Sequence, residues 1–144
     1  MKKFDFPLGR VMDFRRMQAR VEEIKLEALY AELRAIDTRE VALIQEKVQA
    51  EKALKSAKSV TGFDLEVFDA YRLSAKEDQK KMDKARADCR GRIDTQLAVL
   101  TAKRRDVKLL EHLKERRHEK WEKEMFKEID QQADEAHLAK FGKT

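Results

Sequence analysis

The chain has 144 residues, of which 42% are charged, and its formal net charge is +5. It contains four glycines and one proline, a composition typical of long helices and coiled coils, in which the apolar residues lie in narrow stripes. There is no run of about 18 apolar residues, which excludes a spanning helix. The basic first ten residues lack the apolar centre of a secretory signal, so we expect a cytosolic protein.

The first predicted helix covers about residues 8–58. Pro7 stands just before it, where the missing N–H and the fixed φ of proline suit a helix start. Apolar residues then recur every three or four positions, with two polar members in the series. This stripe consists of Leu26, Leu29, Leu33, Ile36, Glu40, Leu43, Lys47, Ala50, Leu54 and Ala57. Its spacing predicts a helix that packs one face against a partner helix.

A turn is predicted at about residues 59–62. Gly62 permits a tight turn, because glycine tolerates backbone angles that other residues avoid. Thr61 and Asp64 have the spacing of a capping box, in which each side chain accepts a hydrogen bond from the other residue's backbone. The second helix is therefore expected to begin directly after the turn.

The second predicted helix covers about residues 63–137 and is followed by a frayed C-terminus. Its stripe consists of Leu65, Phe68, Ala75, Met82, Cys89, Ile93, Leu100, Val107 and Leu110. Cys89 is the only cysteine, and its place in the stripe favours a small core residue over a reactive or metal-binding thiol. Gly91 weakens the helix locally by about 1 kcal/mol relative to alanine.

Two stripes separated by one turn predict an all-α fold, a long antiparallel two-helix coiled-coil hairpin whose second helix is longer. Residues 1–144 are expected to form a single domain. Folding the chain about residue 61 brings Glu40 near Arg86, so we predict an ion pair that helps to fix the register. Residues 1–20 and 103–120, each with a net charge of +4, would meet at the end that holds the termini.

Some apolar residues exceed what one seam needs. Phe14, Met17, Val21 and Ile24 continue with Ala28, Ala31 and Ala35 as a second heptad series on the first helix. They indicate either a surface that docks into another protein or a seam that is broad near the N-terminus. Near the turn, a second apolar patch is predicted on the outer face, with the alternative that it wraps back into the seam. Its members are Val41, Ile44, Val48, Phe63, Val67 and Tyr71.

The sequence shows no motif for a phosphate-binding loop, an activated nucleophile or a zinc protease. Glu115 and His118 have the Glu-x-x-His spacing of bundle di-iron sites, but those sites need matching motifs on facing helices. Two helices also enclose no water-free cavity. We therefore expect no enzyme activity, no metal, no cofactor and no small-molecule substrate. The alternatives are a basic coiled coil that binds nucleic acid and a generic scaffold protein. Acidic residues within both basic blocks, and the few aromatic residues placed for stacking, argue against nucleic-acid binding. Trp121, on the seam register, is expected to pack against the N-terminal segment or a partner.

Residues 3–16, KFDFPLGRVMDFRR, resemble the start of the flagellar export protein family FliJ. The family pattern is F-x-F-x-L-x-x-V-[LM] followed by basic residues, and the likeness extends over the chain in length and layout. Segments from Leu109 to Glu124 and from Asp134 to Phe141 also look like this family's C-terminal portion. The resemblance leaves open whether the chain belongs to flagellar or to non-flagellar type III secretion.

The resemblance implies a non-enzymatic stalk that escorts empty export chaperones. It implies that the end with the termini binds the hexameric export ATPase, FliI, and that the other end binds the export gate protein FlhA. It places the protein in the cytoplasm, peripherally associated with the inner membrane at the flagellar base. The residues expected at the ATPase are Phe14, Arg15, Arg16, Met17, Arg20, Val21, Arg116 and Arg117. Those expected at the gate are Val41, Ile44, Val48, Phe63, Val67 and Tyr71.

Overall fold

A computed structural model, which describes residues 2–142, shows two helices that pack against each other as a hairpin. Helix α1 is Gly9–Ser56 and helix α2 is Gly62–Phe141, and no strand is present in the described range. The predicted all-α hairpin with a longer second helix is therefore confirmed. Neither helix, within residues 2–142, has a stretch long and apolar enough to cross a membrane.

The chain divides into two compact units, which are described separately. The terminal unit combines Met1–Val21 with Leu100–Thr144, and the turn unit is Glu22–Val99. Each unit contains a piece of both helices.

Helix α1 begins two residues after Pro7, the only proline. The N–H of Gly9 donates to the carbonyl of Phe6 at 3.0 Å, and that of Met12 donates to Leu8 at 2.9 Å. Pro7 thus lies in the turn that leads into the helix, where its missing N–H leaves no bond unmade. At the other end, the hydroxyl of Ser56 donates to the carbonyl of Ala53 at 3.3 Å.

The predicted capping box is confirmed at the start of α2. The N–H of Thr61 donates to a carboxylate oxygen of Asp64 at 3.1 Å, and the N–H of Asp64 donates to the hydroxyl of Thr61 at 3.2 Å. Two N–H groups that lack helical partners are thereby satisfied. The tight-turn role predicted for Gly62 is wrong, because Gly62 is the first residue of α2 and no described glycine has a positive φ.

The core is a narrow seam between the helices. In the turn unit its buried members are Leu26, Ala75, Met82, Cys89 and Ile93. Cys89 is completely buried, and its thiol donates to the carbonyl of Leu29 at 3.4 Å. The prediction that Cys89 is a small core residue is therefore confirmed.

Two residues predicted to lie in the seam are exposed. Ala57 follows the last residue of α1, and Leu65 lies in the first turn of α2. Because α1 has already ended at Ser56, the first turn of α2 has little helix to pack against. The seam therefore closes only from Phe68 onward, where the side chains become half-buried.

Polar contacts across the seam fix the register of the turn unit. Arg86 forms the predicted ion pair with Glu40 and also donates to Asp37 at 3.1 Å. Arg92 donates to Glu32 at 2.6 Å, and this hydrogen bond, with the charge of Glu32, raises the pKa of Arg92. These charged pairs lie at the edges of the apolar seam, where water still reaches them.

Candidate protein-interaction surfaces

The N-terminal segment, residues 2–8, packs on α2 within the terminal unit. The indole N–H of Trp121 donates to the carbonyl of Lys2 at 3.1 Å. The ring of Phe4 stands edge-on to His118, with 4.8 Å between ring centroids, and lies 6.0 Å from Trp121. The predicted packing of Trp121 against the N-terminal segment is thus confirmed, and Phe4 of the FxF motif has a structural role.

The second aromatic residue of that motif also contacts α2. The guanidinium of Arg117 lies 5.7 Å from the ring centroid of Phe6, a distance at which a cation is attracted to the face of an aromatic ring. Arg117 was expected among the ATPase-binding residues. Its observed contact is with the N-terminal segment.

A stripe of large apolar side chains lies on the outer face of α1. We name Phe14, Met17 and Val21 the α1 apolar stripe. Phe14 and Met17 are 56% and 65% exposed, and Val21 is also exposed. Met12, in contrast, is almost fully buried, and it is two residues from Phe14, which turns the two side chains about 200° apart on a helix. The stripe therefore faces away from α2 and is not part of a broad seam.

The expected basic residues on α1 differ in their surroundings. Arg16 pairs with Glu111 at 3.2 Å and lies 3.8 Å from Asp13. Arg15 is half-buried and donates to Gln18 at 3.2 Å. Arg15 lies one helical turn after the buried Met12, on the face of α1 that packs against α2. It therefore does not face outward.

Three further basic groups of the terminal unit bear on the predicted ATPase-binding surface. Arg20, on α1, and Arg116, on α2, are both exposed. Arg10 is exposed as well and lies one helical turn before Phe14, on the same face as the α1 apolar stripe. Sequence reasoning missed Arg10, although its four-residue spacing from Phe14 was a usable signal.

The turn unit carries an apolar groove beside the linker between the helices. Its volume is about 510 Å³. We name it the turn groove, and it is lined by Ala50, Ala53, Leu54, Ala57, Val60, Phe63, Asp64, Val67, Phe68 and Tyr71. Of the residues expected at the export gate, Phe63, Val67 and Tyr71 are therefore brought together.

The other three residues of the predicted patch lie elsewhere. Ile44 lines a separate recess with Lys76 and Gln79, whereas the turn groove includes Ala53. Ile44 and Ala53 are about two and a half helical turns apart, which directs them to opposite sides of α1. Val41 and Val48 are exposed and lie one turn either side of Ile44, so the six residues do not form one patch.

Sequence reasoning placed Ala50 and Ala57 in the seam, and it assigned none of the three alanines of the turn groove to a binding surface. Ala50 and Ala53 of α1, and Ala57 just after its end, are small and leave room beside the aromatic side chains of α2. The signal was present as three alanines at spacings of three and four, which place them on one helical face.

The lining of the turn groove is almost entirely apolar. Within residues 2–142, no group of three or more His, Cys, Asp or Glu side chains is arranged to hold a metal ion. His118, considered above for its spacing from Glu115, packs its ring on Phe4 and lies 3.5 Å from Glu122. Over the same range no polar or charged residue is buried.

Comparisons with protein-family models, with curated proteins and with solved structures each found no match. The expected contacts with an ATPase, an export gate and chaperones therefore stay predictions.

Proposed function

We propose that this chain is a non-enzymatic component of the flagellar type III export apparatus. In this proposal it binds the hexameric export ATPase through the terminal unit, binds the membrane export gate through the turn unit, and escorts export chaperones. It would act in the cytoplasm, peripherally associated with the inner membrane at the flagellar base. The observation that carries the proposal is the exposed α1 apolar stripe, whose first member, Phe14, lies within the FliJ-like residues 3–16.

The α1 apolar stripe supports an ATPase-binding role on physical grounds. Three large apolar side chains on one exposed helical face are costly in water, and covering them with a partner contributes on the order of 1 kcal/mol or more each. Arg10 and Arg20 flank the stripe and are exposed. Positive charge beside an apolar contact accelerates association with an acidic partner and selects its orientation.

The turn groove supports a second binding role in the same way. Phe63 and Val67 are exposed on one wall, and the alanines of α1 form the other. An apolar groove with aromatic walls accepts a protruding apolar side chain or a short helix from a partner. We therefore assign the gate contact to Phe63, Val67 and Tyr71, and we do not assign it to Val41, Ile44 and Val48.

Binding assays with the purified export ATPase and the cytosolic part of the gate test both assignments. We expect Phe14→Asp with Met17→Asp to weaken ATPase binding at least tenfold and to leave gate binding unchanged. Leu109→Asp is the matched control, because Leu109 is an exposed leucine on α2 of the same unit. Circular dichroism of each variant establishes that helicity is retained.

The reciprocal variant carries Val67→Asp and Tyr71→Asp. We expect it to weaken gate binding and to spare ATPase binding, while Leu73→Asp, an exposed leucine outside the turn groove, changes neither. Equal loss of both contacts together with lost helicity would show that these residues only support the fold. Failure of the wild-type chain to bind either partner would refute the proposal.

Nucleic-acid binding is the competing function, and the same protein preparation tests it. A phosphate-binding surface would give tight duplex DNA binding that weakens steeply between about 50 and 200 mM salt. We expect weak binding, because Arg16 is paired with Glu111 and Arg117 is stacked on Phe6. Tight, salt-dependent binding without stimulation of the ATPase would favour the nucleic-acid function.

A further inference from the structure

The last part of α2 carries an exposed stripe with coiled-coil spacing. Its members are Glu122, Phe126, Ile129, Ala133, Ala136 and Lys140, separated alternately by four and three residues. Phe126 and Ile129 are 59% and 50% exposed, and every residue from 129 to 142 is exposed. We name it the C-terminal stripe. A stripe with this spacing is what a helix needs to pack against another helix.

We propose that the C-terminal stripe binds the same stripe of a second copy of this chain, with the two helices antiparallel. If the symmetry axis passes beside Gln131, Phe126 of one copy meets Ala136 of the second. In the same register Ile129 meets Ala133. Each large side chain then faces a small one, which fills the space between two helices without overpacking.

The charges at the two ends of the stripe fit the same register. Glu122 of one copy lies opposite Lys140 of the second, and twofold symmetry repeats this pair at the other end. A parallel arrangement would instead place Glu122 against Glu122 and Lys140 against Lys140. Opposite charges thus favour the antiparallel pairing and disfavour the parallel one.

The flanking positions add little repulsion on one side of the stripe. Met125 lies near Ala139 of the second copy, and the Gln132 side chains of the two copies approach each other. On the other side, Asp130 approaches its own symmetry mate. This single like-charge pair is outnumbered by the two Glu122–Lys140 pairs, so we expect the association to weaken modestly as salt screens these charges.

The composition of this part of α2 distinguishes a second copy from a membrane or a nucleic acid. Residues 122–142 contain six acidic and three basic side chains, and a net negative segment is repelled by anionic lipid and by phosphate. The stripe itself has one charge of each sign, which only an antiparallel copy matches at both ends. The inference does not depend on the proposed function.

The overlap is short, so the association is expected to be weak. Roughly 19 residues span about 28 Å, which is fewer than three heptads. We expect a dissociation constant of about 10–100 µM, in the range of small transient interfaces.

Sedimentation equilibrium of the full chain from about 1 to 500 µM tests the proposal. We expect a reversible monomer–dimer equilibrium that Ile129→Asp weakens at least tenfold. Leu138→Asp is the matched control, because Leu138 is 70% exposed but lies on the opposite face of α2 from the stripe. A wild-type chain that stays monomeric over this range, or equal effects of the two variants, would overturn the proposal.

A charge-reversal experiment tests the antiparallel register. We expect Glu122→Lys alone and Lys140→Glu alone each to weaken self-association, since each creates like-charge pairs. Mixing the two variants should restore dimers, because every end pair then has opposite charges. Lys127→Glu, an exposed change away from the stripe, should have no such effect. If the mixture associates no better than the separate variants, the register is wrong.

Disulfide trapping gives an independent measurement of direction. In a Cys89→Ala background, Phe126→Cys and Ala136→Cys variants carrying different tags are mixed and oxidised. Antiparallel pairing predicts that disulfides linking the two different tags exceed those linking like tags. An excess of like-tag disulfides would indicate parallel pairing and overturn the proposal.

Discussion

Arg86 of α2 forms an ion pair with Glu40 of α1, and the same guanidinium donates to Asp37 of α1 at 3.1 Å and to Asp83 of its own helix at 3.3 Å. The Arg86 side chain is only 17% exposed, so its aliphatic stem covers the seam while its charge is shared among three carboxylates. A single arginine therefore links two turns of α1 to α2.

Replacing Arg86 is expected to destabilise the hairpin. We expect Arg86→Ala to lower the free energy of unfolding by about 1–2 kcal/mol, because the variant loses packing and leaves the carboxylates without their cation. Arg92→Ala, which removes an exposed pair with Glu32, should cost about 0.5 kcal/mol or less. Urea unfolding followed by circular dichroism measures both. Equal effects would show that the partly buried network adds nothing beyond an ordinary surface pair.

The helical glycine in α2 predicts a stabilising substitution. Gly91 does not have a positive φ, and a Cβ atom added there would have nothing within 4 Å. Gly91→Ala should therefore raise the free energy of unfolding by about 1 kcal/mol, through the higher helix propensity of alanine. The reverse change one turn earlier, Ala87→Gly, should lower stability by a similar amount. A loss of stability in Gly91→Ala would reveal a contact at this position that the helix pair itself does not make.

Loss of the capping box should weaken the start of α2. We expect Thr61→Ala to cost about 1 kcal/mol and Thr61→Ser to cost a few tenths, because serine retains the hydroxyl that accepts from Asp64. Ser59→Ala, at an exposed linker residue, serves as the control. Thermal unfolding of the three variants ranks them. If serine is as harmful as alanine, the hydrogen bond is not the source of the stability.

Trp121 is the only tryptophan, and its fluorescence reports on the N-terminal segment. Phe4→Ala should shift the emission maximum of Trp121 to longer wavelength, because removing the Phe4 ring exposes the indole to water. Phe141→Ala, an exposed aromatic residue about 20 residues further along α2, should leave the emission unchanged. An unchanged spectrum in Phe4→Ala would show that the segment does not cover Trp121 in solution.

The seam and the helix junction were predictable from the sequence because both follow local rules. Heptad spacing identified Met82, Cys89 and Ile93 as core residues, and the Thr61–Asp64 spacing identified the start of α2. The register about residue 61 then brought Glu40 to Arg86. Each of these predictions needed only the helical period and one well-placed turn.

The side surfaces were not predictable by the same rules. Heptad spacing identifies the residues of a helix that face its partner, but it does not say which outer residues of the two helices share one side of the pair. Ile44 and Val67, predicted to share one patch, line different recesses because Ile44 lies on the opposite side of α1 from Ala53, which lines the turn groove with Val67. Arg15 was assigned to a binding surface because arginine is usually exposed, yet it occupies a seam position near Met12.

The capping box has a consequence for the order in which the molecule folds. Its two hydrogen bonds join residues three apart, so the start of α2 forms without any long-range loop closure, whereas the bond from Trp121 to Lys2 joins residues 119 apart. Closing a short loop loses less chain entropy than closing a long one. We therefore expect the contacts between the helices to form first near the turn and last near the termini. The only tryptophan would then report the last contacts to form, and a stopped-flow fluorescence trace would lag behind the gain of helicity.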